Sequence, residues 1–322
     1  MHPSAPDALQ GTAPPHPGLD AAMRVQSALA AALMAGFCVA ALAGVRFGAG
    51  AQVGVLLGGI VLVGFPHGAF DHLVARPLLR PRLGRWWWVP FGAGYVGLAG
   101  LVLLAWWAAP AVTLAGFLAA SALHFGLGDA EDGLAPQRVP LAVSVLAYGA
   151  LPLLLPMALH PAEAAPVLAA LAGVPVGAMQ DALAMAAWVL PAWAAAFALV
   201  VSAAVRERRE VLERLAMAAG FVLLPPLLAF GVYFGAGHAV RHVLRLGAWH
   251  GGTPRAAVRW LALTMLPAAA VCAAGIGALA LLGRDTAADV LAPMFRVIAA
   301  LTLPHMLVTA WLDTQGQDGR DV

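Results

Sequence analysis

A chain of 322 residues that is 62% hydrophobic and only 11% charged, with mean hydropathy +0.85, is no soluble globular protein, since those carry about 25% charged residues. Its net charge of +2 gives no footing for a nucleic-acid partner. The apolar runs are roughly 20 residues long, which suits membrane-spanning helices, whereas barrel strands alternate over about 10. The fold class is therefore all-α, a polytopic transmembrane bundle of about 8–10 helices. Residues 1–24, rich in Pro, Ala and Gly, form an N-terminal tail expected to be disordered, and they lack the basic start and short apolar core of a cleaved signal. Residues 25–315 form one transmembrane helical domain and 316–322 a C-terminal tail. Cys38 and Cys272 lie in separate apolar runs and are expected to pack as small core residues.

The first span covers about Ala28 to Gly44. The second covers about Val53 to Val74 and contains Pro66-His67-Gly68-Ala69-Phe70-Asp71-His72. Arg76, Arg80, Arg82 and Arg85 follow it and mark a cytoplasmic side, which puts the N-terminus inside as well. The third runs from Trp86 to Trp107, with Trp86, Trp87, Trp88, Trp106 and Trp107 as expected interface anchors. Pro110 turns the chain into a fourth span that ends in His124-Phe125-Gly126-Leu127-Gly128-Asp129. A polar loop follows at Glu131–Arg138. The fifth span is Val139–Leu159, and residues 160–180 suggest a short interfacial helix. The sixth, Ala182–Val205, ends at Arg206-Glu207-Arg208-Arg209, again inside.

The stretch Val211–Leu246 would reach about 50 Å as one helix, against roughly 30 Å of hydrocarbon. Pro225-Pro226 should break it in two. The second piece carries His238 and His242 back toward the inside, where Arg241, Arg245, Arg255 and Arg259 belong. Two further spans cover Trp260–Leu282 and Val290–Leu312, the last containing Leu303-Pro304-His305-Met306. These orientations bring His67, His124, His238, His242 and His305 to one leaflet, the inner half of the membrane.

Ionisable groups inside hydrocarbon are costly and point to function. His238 and His242 are four apart, so both rings share one helix face and can grip one ion. His67 and His72 are five apart and diverge by about 140°, so His72 should face water or headgroups. Asp71, four from His67, can orient a ring. His124 closes its helix, either as a ligand or as a donor to the last carbonyls. Asp129 reads as a supporting or loop residue. Arg245 snorkels to the interface or holds a carboxylate such as Asp71 or Asp129. His305 is open between support, a substrate-side role and bonding to a carbonyl freed by Pro304. His160 and His250 should be solvated, and His2 and His16 belong to the tail. Imidazole suits Fe, Zn and Cu, and no thiolate set or carboxylate cage competes. A site among apolar helices invites an apolar substrate from the lipid. No G-x-S-x-G, P-loop or Cys-x-x-Cys supports hydrolase, nucleotide or thiol chemistry.

Taken together, Pro66-His67-Gly68-Ala69-Phe70-Asp71-His72, His124-Phe125-Gly126 with Asp129, His238-x-x-Arg241-His242-x-x-Arg245 and Leu303-Pro304-His305 resemble the Brp/Blh family of bacteriorhodopsin-related membrane β-carotene 15,15′-dioxygenases. The likeness covers about residues 25 to 315. It departs from the family pattern at Gly237 and Ala239, where Trp and Ser are usual. The resemblance implies a multi-pass enzyme of the cell inner membrane that cleaves β-carotene with O2 to two retinals, which a rhodopsin could take up. It implies Fe(2+) held by His67, His124, His238 and His242, with support from Asp71, Asp129 and His305. Three other readings stay open, one of them a transporter with a polar midplane, which would bind no iron and give no product. A membrane di-iron hydroxylase or desaturase generally uses more histidines, often in His-His pairs, and none occurs here. A bis-histidine haem protein would show a Soret band.

Overall fold

The computed structural model describes residues 17–130, 139–204, 208–249, 254–281 and 287–318. The Glu131–Arg138 loop, residues 205–207 and the N-terminal tail to residue 16 lie outside them, as do His250 and the side chains of Arg245 and Arg255. Every described element is helical: α1 (Pro17–Leu42), α2 (Ala49–Gly59), α3 (Phe65–Gly68), α4 (Asp71–Leu83), α5 (Trp88–Ala108), α6 (Pro110–Asp129), α7 (Leu141–Leu159), α8 (Pro161–Ala172), α9 (Val176–Ala186), α10 (Leu190–Ala203), α11 (Arg208–Leu223), α12 (Pro226–Val232), α13 (Ala239–Trp249), α14 (Pro254–Leu281) and α15 (Ala287–Asp318). Two π-helical segments, Ile60–Gly64 and Tyr233–His238, join α2 to α3 and α12 to α13.

Seven of the described helices are long and apolar enough to cross a membrane. The chain is thus a polytopic helical bundle, as its composition requires. The break at Pro225–Pro226 is present, between α11 and α12. The expected second span is not continuous. Its apolar part is Ala49–Gly64, the chain turns at residues 69–70, and α4 carries Arg76, Arg80 and Arg82 away as a separate helix. The region 160–180 also differs. α8 is short, but Ala165, Ala169, Leu171 and Ala172 are buried against neighbouring helices, so it is a packed element. The chain then enters the next span already at Val176.

α1 shows how the outer helices are held. Ala30, Met34 and Cys38, four apart, are buried with Met217 and Phe221 of α11, while Leu29, Leu33 and Leu42 face outward. Outward apolar side chains satisfy the rule for a lipid-facing surface, where burial gives helices no advantage over lipid and close packing decides association. Trp86, Trp88 and Trp107 are exposed, as interface anchors should be, whereas Trp106 is buried. Its indole N–H needs a partner there and donates to the Leu171 carbonyl at 2.8 Å, tying α5 to α8.

The closest inter-helix packing is between α6 and α7. A Cβ added at Gly149 would lie 1.8 Å from the Ala122 carbonyl oxygen, and one at Gly126 would lie 2.1 Å from that of Val145. Gly149→Ala is therefore expected to lower stability by about 1–3 kcal/mol or more, because backbone must separate. Gly97→Ala, whose Cβ meets nothing within 4 Å, should cost nothing beyond noise. Thermal unfolding of both variants in detergent checks the contrast.

Candidate functional site

Two helices that cross at glycines carry most of the site. Gly59 of α2 faces Gly231 and Gly235: a Cβ on Gly235 would lie 2.6 Å from Gly59 Cα, and one on Gly231 2.8 Å from Leu56 Cα. Backbone touches backbone. Each helix contains its π segment at or next to this crossing. A π turn inserts one residue and so rotates everything beyond it by roughly 100°. In both helices a histidine comes at the end of, or just after, the insertion: His238 ends the second segment and His67 follows the first in α3. Backbone groups loosened by such a turn need partners where no water reaches. His67 Nδ1 donates to the Gly64 carbonyl, and Gln26 of α1 donates to the Ala236 and Gly237 carbonyls at 2.6 and 3.2 Å.

Five imidazoles meet at this crossing. The His67 ring centroid lies 6.3 Å from that of His238, 5.5 Å from His242 and 4.8 Å from His305. His124, from α6, lies 5.3 Å from His238 and 5.6 Å from His305, and His242 lies 5.5 Å from His305. Among the described residues no three His, Cys, Asp or Glu side chains hold an ion as they stand. The ring separations can be compared with those around a single ion. A metal–nitrogen bond of about 2.1 Å puts a ring centroid about 3.2 Å from the metal, so two rings stand about 4.5 Å apart at right angles and about 6.4 Å when opposite. The six separations given above, 4.8 to 6.3 Å, fall inside that range.

The model of a family described as "Beta-carotene 15,15'-dioxygenase" matches residues 58–313. That match takes in all five clustered histidines and most of the chain. The chain belongs to the β-carotene 15,15′-dioxygenase family. It is also 31% identical over 306 residues, 85% of its length and 88% of the relative's, to the "Probable beta-carotene 15,15'-dioxygenase Blh" of Halobacterium salinarum. No solved structure matches it.

In this member of the dioxygenase family an apolar cavity of about 560 Å³ opens against the cluster, within the usual range for a small-molecule site. His67, His124 and His305 form part of its wall, and Phe117, Phe125 and Phe230 are among the apolar side chains that line the rest. His238 and His242 do not line it.

The carboxylates expected to support the site are divided between two places. Asp71 does not reach back to His67. Its Oδ1 accepts from His305 Nδ1 at 2.7 Å, and its Oδ2 from the Tyr95 hydroxyl at 2.9 Å. Asp129 touches no histidine by hydrogen bond. Its Oδ2 takes Arg214 at 2.8 Å and the Tyr233 hydroxyl at 3.3 Å, and its Oδ1 takes Arg241 at 3.1 Å. Arg241 also pairs with Glu213, and the Arg214 guanidinium lies 4.4 Å from the centre of the Tyr148 ring. All four charged residues are 1–4% exposed, so Arg241 is no marker of the cytoplasmic surface. Among the described residues these two cations and two anions bind the end of α6, α11 and α13 into one body beside His238. Glu213 and Arg214 escaped the sequence reading, although an adjacent charged pair entering a long apolar stretch was the available signal. His72 is exposed and bonds to the Ala69 carbonyl, as its spacing required. His160 is not simply solvated: it stands at the residue before α8 and its ring bonds to the Val222 carbonyl at 3.1 Å.

Arg214→Met leaves the buried Asp129 charge under-compensated and is expected to cost about 3–5 kcal/mol. Arg24→Met, at an exposed position, should stay within about 0.5 kcal/mol. Chemical or thermal unfolding in detergent measures both.

Proposed function

We propose that the protein is an iron(II) dioxygenase that cleaves the central 15,15′ double bond of β-carotene with O2 and releases two retinals. The observation that carries this reading is the gathering of His67, His124, His238 and His242 into one cluster, with His67 and His124 at the wall of an apolar cavity. Family membership and the name of the halobacterial relative support the substrate. The reaction balances without another reductant. The C15=C15′ bond breaks, each carbon gains one oxygen atom, and the four electrons lost by carbon reduce the two atoms of O2.

Four neutral imidazoles are the donor set, and they suit iron. Fe(2+) held there supplies the redox chemistry that spin-forbidden O2 needs. The chain's own groups hold and orient. The Gly64 carbonyl fixes the tautomer and rotation of His67, so only its Nε2 is free to bind. The buried charge quartet fixes α13 and with it His238 and His242. The cavity excludes water and grips an apolar polyene along its aromatic walls, which sets the bond presented to the histidines. The substrate reaches it from the lipid bilayer. The enzyme sits in the cell inner membrane with its N-terminus cytoplasmic, and a rhodopsin is a natural recipient of the product.

Expression in a β-carotene-producing bacterium tests the reading. Cells should lose their orange colour and yield retinal. His242→Ala should keep the colour and cut retinal by more than about 100-fold, beyond the effect of losing an outer hydrogen bond. Near-normal retinal from His242→Ala would reject the site.

A further inference from the structure

His305 is the clustered histidine that the family resemblance leaves outside the ligand set. We propose that it is a fifth protein ligand of the iron. The inference rests on the iron centre proposed above and deepens it.

Three independent features of the structure assign this role. The first is position. The His305 ring stands 4.8, 5.5 and 5.6 Å from those of His67, His242 and His124, as close as the 5.3 to 6.3 Å that separate His67 from His238 and His242 and His124 from His238. The second is an unspent donor. His305 is 4% exposed, and its Nε2 has no hydrogen-bond partner. A buried polar atom without a partner is costly, and an imidazole nitrogen surrounded by other imidazoles has a metal as its natural partner. The third is the outer contact. His305 Nδ1 donates to Asp71 Oδ1, and Tyr95 holds the other carboxylate oxygen. A ligating histidine almost always donates its second nitrogen in this way, which fixes the tautomer and raises its basicity. His67 does the same with the Gly64 carbonyl. His305 is not spent on a carbonyl freed by Pro304, the structural role its sequence position allows. It also lines the cavity beside His67 and His124, so the fifth donor stands on the substrate side. Asp71 is then a positioning residue that acts through His305.

The test is Fe²⁺ affinity of the purified full-length protein, measured by competition with a chromogenic chelator, with iron K-edge absorption read alongside. Wild type is expected to bind one iron per chain. His305→Ala should weaken binding by about 100-fold or more, lose one ring of imidazole scattering, and regain affinity with added imidazole. Asp71→Asn, which keeps the ring but weakens its acceptor, should weaken binding by about 10–100-fold. If His305→Ala fails to fold, His305→Gln gives the same reading. Wild-type affinity in the His305 variant overturns the fifth ligand and leaves the four-histidine centre standing. So does weakened binding with unchanged imidazole scattering. A wild-type protein that binds no iron overturns both.

Discussion

An imidazole buried among apolar helices has two nitrogens to satisfy and no water to satisfy them with. That constraint organises this protein. For His67 and His305 the chain supplies an acceptor for one nitrogen, the Gly64 carbonyl in one case and the Asp71 carboxylate in the other. The second nitrogen is left facing other rings. Five imidazoles from separate parts of the chain thus stand together. Such a cluster has no stabilising logic of its own: it gives up hydration and gains little until something binds between the rings. Structural economy would have filled the same volume with leucine.

Precision comes from devices that ordinary helix packing lacks. Glycines at 59, 231 and 235 bring two backbones into contact, and π turns beside that contact re-aim the histidines that follow. Gly64 sits so close to Phe234 that a Cβ there would lie 2.3 Å from the ring. The price of the π geometry in loosened carbonyls is met by Gln26, reaching from α1. On the other side, the quartet of Asp129, Glu213, Arg214 and Arg241 holds three helices in one register. A buried ion quartet is a poor source of net stability but a good source of specificity, since any slip leaves a charge unpaired.

Much of this was legible in the sequence. Composition alone required a helical membrane bundle. The His238–His242 spacing, the Pro225–Pro226 break and the shared depth of five histidines all follow from helix geometry and hydrocarbon thickness. What sequence periodicity could not show was the non-α geometry. A π turn leaves no pattern that an α-helical reading detects, and the turn at residues 69–70, which ends the second span early, takes Asp71 off the face of His67 and sets it against His305. The same limit applies to long-range pairs. Arg241 read as a surface charge because its partners lie in α6 and α11, far away in the chain. Trp106 read as an anchor because nothing local reveals the Leu171 carbonyl it meets. His305 is ambiguous in the sequence for the same reason: only the fold shows its ring against those of His67, His124 and His242 and its Nδ1 on Asp71.

The decisive observation would be an experimental structure of iron-loaded protein, with anomalous scattering recorded at the iron edge. A single peak is expected inside the ring cluster, about 2.1 Å from a nitrogen of each of His67, His124, His238 and His242. A peak elsewhere in the bundle, two peaks, or histidines closed on one another with no peak between them would contradict a mononuclear iron centre.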